Sequence, residues 1–261
     1  MAISKINSLA LGSVAKVNSL LKASMAKINS LVNVLFGDSY SIELDGTNDG
    51  ITAHPVAEAS LISGEIGSVS CWFKLDTVSS GKHLFCFTEN NTLGDNFIRA
   101  FYHASRNQLY SNHRGNGTQM TIIASNTVEN NGWHHYALTW NTGGDTITQV
   151  YIDGSSAGTA EGTTAMAFEE EGINTVHIGT KDGSNNPWLG HVNDFALYSD
   201  VLSSAEVSEI YNSGSPNDLT GLGSASGLVA YWKMENNTDD SSSNSNPISL
   251  VNGAAYSSDT P

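Results

Sequence analysis

The sequence is short of positive charge and of cysteine and has no long apolar run, and each shortage excludes a class of protein. Its 261 residues include 11 Lys and Arg against 26 Asp and Glu, a formal net charge of −15. Surfaces that bind nucleic acid need clustered Lys and Arg to neutralise phosphates, so we expect no nucleic-acid partner. No stretch of about 18 apolar residues occurs, so the sequence predicts no transmembrane segment.

The two cysteines, Cys71 and Cys86, each lie in an apolar run that is typical of a strand. We expect two buried free thiols, because Cys often behaves as a small apolar residue. A disulfide between them is the alternative. The cysteine content therefore does not decide the redox compartment.

The first 36 residues repeat every eleven positions, in the segments SKINSLALGSV, AKVNSLLKASM and AKINSLVNVLF. Their apolar residues follow steps of three and four, which corresponds to about 3.67 residues per helical turn. The stripe predicted to drive oligomerisation consists of Ile3, Ile6, Val14, Val17, Leu21, Met25, Ile28 and Val32. We predict a helical stalk or anchor over residues 1–36, with a homotrimer as the favoured assembly. A membrane-surface helix and an extended segment are the alternatives, since the lysines lie opposite the stripe and β-branched residues and Asn-Ser pairs are poor helix formers.

After the repeat, the sequence changes to short segments that alternate apolar and polar residues and are separated by Gly, Asn, Asp and Ser. Such segments indicate an all-β sandwich over residues 39–261. The strand that opens at Trp133 shows the alternation of a strand buried on one face, and the last candidate strand is ISLVNGAAY. One short helix is predicted at SSAEVSEIYNSG, capped by Ser203 or Ser204 and ended by Gly214.

Four segments, in this order, resemble the laminin-G-like, concanavalin-A-like sandwich family. They are IELDGTNDG at 42–50, GSVSCWFK at 67–74, NGWHHYALTWN and TQVYIDGSSAGT within 131–159, and VHIGT and WLGHVNDFALYSDVLSSAEVSEIYNSG within 176–214. The resemblance implies a two-sheet antiparallel jelly-roll sandwich. A stalk-like repeat before such a domain also resembles the layout of virion structural proteins of marine tailed phages. That layout implies a place on the virion surface, with other virion proteins as partners.

The related fold also houses glycoside hydrolases, which place two carboxylates at a cleft. The nearest candidates are Glu43 and Asp45, which alternate on one strand, but Thr47 stands where a third acid would follow. The acids at 169–171 are consecutive, so their side chains cannot share one face of a strand. We therefore expect no enzymatic activity.

Calcium is the cofactor that the resemblance implies. Relatives hold a structural calcium between the opening turn and an acid of the closing strand, which here are Asp45, Asn48 and Asp49 and, in the closing strand, Asp194. Their oxygen atoms suit a hard cation. Phe195 stands where the family has a second acid. The alternative is that Asp45 and Asp49 only form hydrogen bonds within the turn.

Glycan binding is the other activity that the resemblance implies, and Trp188 in the loop SNNPWLG is the candidate aromatic residue. A place in the core is the alternative for this side chain. The predicted function is that of a non-catalytic virion structural or display protein, with contact to host-surface glycans as a second role. A carbohydrate-binding adhesion module of a secreted or cell-surface protein is the alternative, and a glycoside hydrolase is less favoured.

Overall fold

The structure is a computed structural model. It describes residues 38–53, 61–76, 81–89, 92–115, 117–128, 131–142, 147–161 and 173–261. These residues belong to one compact unit, Asp38–Pro261. The predicted helical repeat of residues 1–36 and the acids at 169–171 lie outside the described residues. In the described part of the chain, no helix has the length and apolar character needed to cross a membrane.

Eight strands form sheet I. They are β1 (Ser41–Asp45), β3 (Ile66–Leu75), β8 (Trp133–Asn141), β9 (Ile147–Ile152), β10 (Ser155–Glu161), β12 (Leu189–Tyr198), β13 (Leu228–Trp232) and β15 (Ala255–Ser257). Their spatial order is β10-β9-β8-β3-β12-β1-β15, with β13 beside β12. The pairings are antiparallel throughout.

Seven strands form sheet II. They are β2 (Gly50–Ala53), β4 (Lys82–Glu89), β5 (Thr92–His103), β6 (Gln108–Gly115), β7 (Thr118–Thr127), β11 (Thr175–Ile178) and β14 (Ile248–Val251). Their order is β14-β2-β11-β4-β5-β6-β7, again antiparallel. The two sheets confirm the predicted all-β, two-sheet antiparallel sandwich.

The two sheets pack face to face around one apolar core. Tyr136, Leu138 and Trp140 of β8 enter it from sheet I, and Phe85 and Phe87 of β4 enter it from sheet II. Successive side chains of a strand point to opposite faces, so every second residue of these strands is committed to the core. The remaining residues form the two outer faces of the sandwich.

The outer face of sheet I is covered by a second apolar cluster. Helix α1 (Ser204–Tyr211) and two 3₁₀ turns, Leu219–Gly221 and Gly223–Gly227, lie over it and bury Val207 and Ile210. Ala137 of β8 belongs to this second cluster. The prediction that β8 is buried on one face is therefore wrong: the helix covers the side that the sequence pattern assigned to solvent.

The boundaries of α1 follow from local hydrogen bonds. The Ser203 hydroxyl accepts from the Glu206 backbone N–H, while the Glu206 carboxylate accepts from the Ser203 backbone N–H at 2.8 Å. This capping box confirms Ser203 as one of the two predicted caps. The helix ends earlier than predicted, because Asn212 takes the left-handed conformation (φ 45°) ahead of Gly214.

Two further predictions are settled by where strands lie. The segment ISLVNGAAY, predicted as one strand, forms β14 in sheet II and β15 in sheet I, with Gly253 at a φ of 131° between them. Cys71 and Cys86 are buried free thiols, as predicted. Cys71 faces the core from sheet I, whereas Cys86 alternates with core-facing Phe85 and Phe87 and so lies on the outer face of sheet II.

Candidate functional site

Three of the predicted calcium ligands, Asp45, Asn48 and Asp49, share one turn, but the fourth, Asp194, lies far from them. Asp45 pairs across the sheet with Leu189, five residues along β12 from Asp194, which separates the two acids by roughly 17 Å at about 3.3 Å per residue. The turn at 45–49 is closed by its own hydrogen bonds. Asp45 accepts from the Thr47 backbone N–H at 2.7 Å, and Asp49 accepts from that of Asp45 at 3.1 Å. The turn therefore has the hydrogen-bonded form that was the alternative to a metal site.

Asp194 lies instead among other acids at a bulge of β12. Its carboxylate accepts from the Tyr231 hydroxyl at 2.5 Å, and burial raises the pKa of Asp194 well above its ordinary value. Burial also raises the pKa of Asp38 to about 7; the charge of Glu235 adds to this shift, and a hydrogen bond from Asn193 opposes it. One oxygen each of Asp38 and Asp194 is buried without a hydrogen-bond partner in the described structure.

Of these two residues, only Asp194 belongs to the predicted calcium set; Asp38 was not predicted. Glu235, beside them, uses its carboxylate to accept from the backbone N–H groups of Ser39 and Tyr40. No group of three or more His, Cys, Asp or Glu side chains in the described ranges is arranged to hold a metal ion. Calcium binding by the predicted residues therefore stays a prediction.

Trp188 is a core residue and is not available to a ligand. Its side chain is 0% exposed, and its ring contacts Phe73 edge-on at 5.8 Å between centroids. Its indole N–H donates to the Lys74 carbonyl at 2.9 Å. A buried indole with its N–H satisfied has a structural role, so the prediction of Trp188 as a glycan-binding residue is wrong.

A different set of polar side chains lies in register across the outer face of sheet II. The register places one residue from each of the seven strands opposite the next. In spatial order this arginine row consists of Ser249, Thr52, His177, Cys86, Arg99, Asn112 and Thr121. Residues directly opposite each other on neighbouring strands share a face, so the row crosses the whole sheet.

Hydrogen bonds connect the members of the arginine row. The Arg99 Nε–H donates to Asn112 Oδ1 at 3.0 Å, and Asn112 Nδ2 donates to Thr121 Oγ1 at 2.9 Å. Nδ1 of His177 lies 3.4 Å from Thr52 Oγ1. Asn112 and His177 are buried, while Arg99 and Thr52 are partly exposed. The partly exposed donors Arg99 and Thr52 are thus held by hydrogen bonds to the buried side chains of Asn112 and His177.

Aromatic rings run beside the arginine row. His83 stacks on Phe101 at 5.3 Å, Phe101 meets Tyr110 at 5.5 Å, and Tyr110 stacks on His103 at 5.0 Å between centroids. We call these four residues the aromatic stack. Its members belong to the adjacent strands β4, β5 and β6. Rings beside convergent polar groups are the usual composition of a small-ligand site.

His83 is the most buried polar member of the aromatic stack. It is 7% exposed, and both of its ring nitrogens lack a hydrogen-bond partner in the described structure. Burial lowers the pKa of His83 to about 3, and the charges of Arg99 and Lys181 act in the same direction. The imidazole is therefore neutral at physiological pH and offers one donor and one acceptor.

Sequence reasoning missed this face, although one strand carried the signal. In β5, Phe97, Arg99, Phe101 and His103 occupy alternate positions. The residues between them face the core. Aromatic and basic residues at every second position of a strand are unusual on a surface that only meets solvent. The partners from the six other strands could not be found in this way, because register is a tertiary property.

The comparisons with known proteins agree with this architecture. A family profile described as the concanavalin A-like lectin/glucanases superfamily matches residues 45–208. The chain belongs to this superfamily. The match confirms the fold-family resemblance inferred from the four sequence segments. No curated protein matches the chain in sequence.

Several solved structures share the fold of this concanavalin A-like domain at low identity. A heptameric SAP-like pentraxin from Limulus polyphemus has a TM-score of 0.61 at 18% identity, over 84% of this chain and 94% of that one. A protein of Bacteroides ovatus described as carbohydrate-binding has a TM-score of 0.59 at 14% identity, over 84% and 60%. The CBM40 module of the IT-sialidase from Ruminococcus gnavus has a TM-score of 0.51 at 17% identity, over 65% and 96%.

Proposed function

We propose that the protein is a non-catalytic glycan-binding module that holds saccharides on the outer face of sheet II. The observation that carries the proposal is the arginine row beside the aromatic stack. Rings can cover the apolar face of a sugar, while amide, guanidinium and imidazole groups meet its hydroxyls. The superfamily and the carbohydrate-binding descriptions of two structural relatives support this assignment.

The placement of acidic residues supports a binding role over a hydrolytic one. Neither the arginine row nor the aromatic stack includes an Asp or Glu. Glu43 and Asp45 lie on exposed positions of sheet I. A backbone hydrogen bond from Thr47 lowers the pKa of Asp45, whereas a general acid of a glycosidase needs a raised pKa.

A glycan array with the full-length chain tests the proposal. Hits are expected, and Tyr110→Ala should weaken binding of a hit by about tenfold, as expected for an aromatic contact residue worth about 1–2 kcal/mol. Tyr40→Ala is the matched control, because Tyr40 is exposed but lies outside sheet II. An array without hits, or equal loss in both variants, would contradict the proposal.

A structural calcium ion at Asp38 and Asp194 is a separate proposal. Its test measures the melting temperature of the chain in EDTA and with added CaCl2. A calcium-dependent rise that Asp38→Asn removes and Asp49→Asn keeps would support this position. The reverse pattern would support a calcium ion at the turn at 45–49 instead. If calcium has no effect on the unaltered chain, both positions are contradicted.

Display on a virion, with residues 1–36 as a trimerising stalk, stays a prediction from the sequence. Light scattering on the full chain gives its mass and checks for a trimer. Val17→Asp and Ile28→Asp together should dissociate it, because both residues belong to the predicted stripe, while Lys22→Gln should not. A monomeric unaltered chain would contradict the stalk.

A further inference from the structure

Basic side chains are unevenly distributed between the two sheets. Residues 38–261 contain seven Lys and Arg against all 26 acids of the chain. The two basic residues outside sheet II and its adjoining loops, Lys74 and Lys233, each form an ion pair, with Asp259 and Asp218 respectively. The other five lie in sheet II or in loops that adjoin it: Lys82, Arg99, Arg106, Arg114 and Lys181. Sheet II and its adjoining loops therefore carry most of these basic residues, beside the acids Glu89, Asp95 and Asp182.

Arg99 lies on the outer face of sheet II, between Cys86 and Asn112. Among the described residues, no carboxylate lies within ion-pair distance of it. Its guanidinium lies over the rings of Phe97 at 4.6 Å and Phe101 at 5.3 Å from the centroids. The bond from Nε to Asn112 fixes its direction. These contacts hold the group in place and leave its two terminal NH2 groups available.

A guanidinium that is fixed in position, partly buried and not paired with a carboxylate is suited to bind an anionic ligand. Two parallel N–H donors match the two oxygens of a carboxylate, and partial burial strengthens the pairing. His83, beside Phe101 on the same face, adds the unpartnered imidazole described above. A neutral imidazole next to the guanidinium can bond a hydroxyl near the anionic group without repelling it.

We propose that Arg99 binds the carboxylate of an acidic saccharide, while Phe101 and Tyr110 pack against its ring and His83 bonds one of its hydroxyls. The proposal rests on the glycan-binding function and names the class of glycan. Sialic acids and hexuronic acids carry the same carboxylate, so separate arms of one experiment distinguish these sources.

Calorimetry with the full-length chain compares each acid with a neutral counterpart. One arm uses tri-galacturonic acid and its methyl ester, and the other uses 3′-sialyllactose and lactose. At least one acid should bind about tenfold or more tightly than its neutral counterpart, since a charge-assisted hydrogen bond contributes about 1.5–3 kcal/mol. The arm that shows the difference identifies the source of the carboxylate.

Variants assign the effect to the residue. Arg99→Gln should reduce binding of the acid about tenfold or more, and by a larger factor than it reduces binding of the neutral counterpart. Arg99→Lys should keep only part of the binding of the acid, because an ammonium group lacks the forked pair of donors of a guanidinium. Arg106→Gln is the matched control, since Arg106 is exposed in the turn between β5 and β6. Unchanged melting temperatures establish that the variants are folded.

Two outcomes separate the two proposals. Equal binding of acid and neutral counterpart, or an acid preference that survives Arg99→Gln, overturns the role of Arg99 and leaves glycan binding intact. An absence of binding to these four saccharides and to the glycan array overturns both.

Discussion

The two outer faces of the sandwich differ in what covers them. On sheet I, α1 and the segments around it bury large apolar and aromatic side chains such as Tyr151, Tyr198 and Tyr231. On sheet II, arginine, asparagine, histidine and aromatic side chains lie in cross-strand register. The outer face of sheet I is thus built for stability, whereas that of sheet II carries the groups of the proposed binding site.

Hydrogen bonding of buried polar groups differs from site to site on the two faces. On sheet I, Asp153 accepts from His134 Nδ1 and from the His135 backbone N–H, both at 2.9 Å, and so joins β8 to the β9–β10 hairpin. On sheet II, His83 has no such partner in the described part of the chain. The ring nitrogens of His135 on sheet I are likewise buried without a partner among the described residues, so unsatisfied buried groups, which cost stability, occur on both faces.

The largest expected effect comes from a matched pair of aromatic residues, one from each outer face. Trp72 of sheet I stacks on Tyr211 at 5.7 Å and contacts His135 at 5.3 Å, and it is 4% exposed. Trp72→Ala should lower the free energy of unfolding by about 3–5 kcal/mol, the usual cost for a buried Trp. Phe101→Ala should cost about 1–2 kcal/mol, because Phe101 is partly exposed. Urea denaturation measures both; equal losses would abolish the distinction between the faces.

A smaller loss is expected when the C-terminal strand is released from sheet I. Asp259 accepts from the Lys74 ammonium group and from Trp133 Nε1, and its carbonyl accepts from Ser41 Oγ at 2.6 Å. Asp259→Ala should cost about 1–3 kcal/mol, the usual range for a charge-assisted bond. Glu209→Ala, an exposed site on α1, is the control.

The pH dependence of the Asp259 effect has a defined sign. Partial burial alone would raise the pKa of Asp259, but the bonds from Lys74 and Trp133 outweigh it and lower the pKa below the ordinary 3.8. Its stabilising contribution is therefore present above pH 4 and is lost as the pH falls further. The gap between the unaltered chain and Asp259→Ala should narrow in acid; a constant gap would contradict the ionic role.

The opposite dependence is expected for Asp38. Its pKa rises from 3.8 to about 7 in the folded chain, so stability is lost as the pH rises through that window. In EDTA, Asp38→Asn should melt about 2–6 °C above the unaltered chain at pH 8, a gap that closes near pH 4. Asp45→Asn is the control, because a hydrogen bond from Thr47 lowers the pKa of Asp45 and reverses the sign. Calorimetry at pH 4 and at pH 8 measures these differences in melting temperature.

The smallest effect is expected at the thiols. Burial raises the pKa of Cys86 to about 12 and that of Cys71 further. Neither should react with a thiol reagent in the native chain, and both should react after unfolding, since only an accessible thiolate is nucleophilic. Rapid reaction of Cys86 in the native chain would show that the buried part of the arginine row becomes accessible to solvent.

Much of the fold was predictable because it follows from patterns within short segments of the sequence. Alternation in the strand from Trp133, the Asp153-Gly154 turn and the capping box at Ser203 each arise within about ten residues. Both turn residues have positive φ, 50° and 71°. The second burial of β8 was not predictable, since a distant helix provides the cover.

The candidate site was less predictable than the fold. Trp188 and the calcium set were chosen by residue type and loop position. Packing buried Trp188, and the register of β1 with β12 separated Asp45 from Asp194. Chemistry at a site depends on distances across strands, which sequence spacing does not give.

The sequence alone determined the β-sandwich, its family and the acidic balance, because periodicity, motif order and composition are properties of the chain itself. Only the tertiary structure decided which polar residues meet. The arginine row takes members from Thr52 to Ser249, nearly the length of the described chain. Core packing sets the register of seven strands, and that register turns scattered residues into one face.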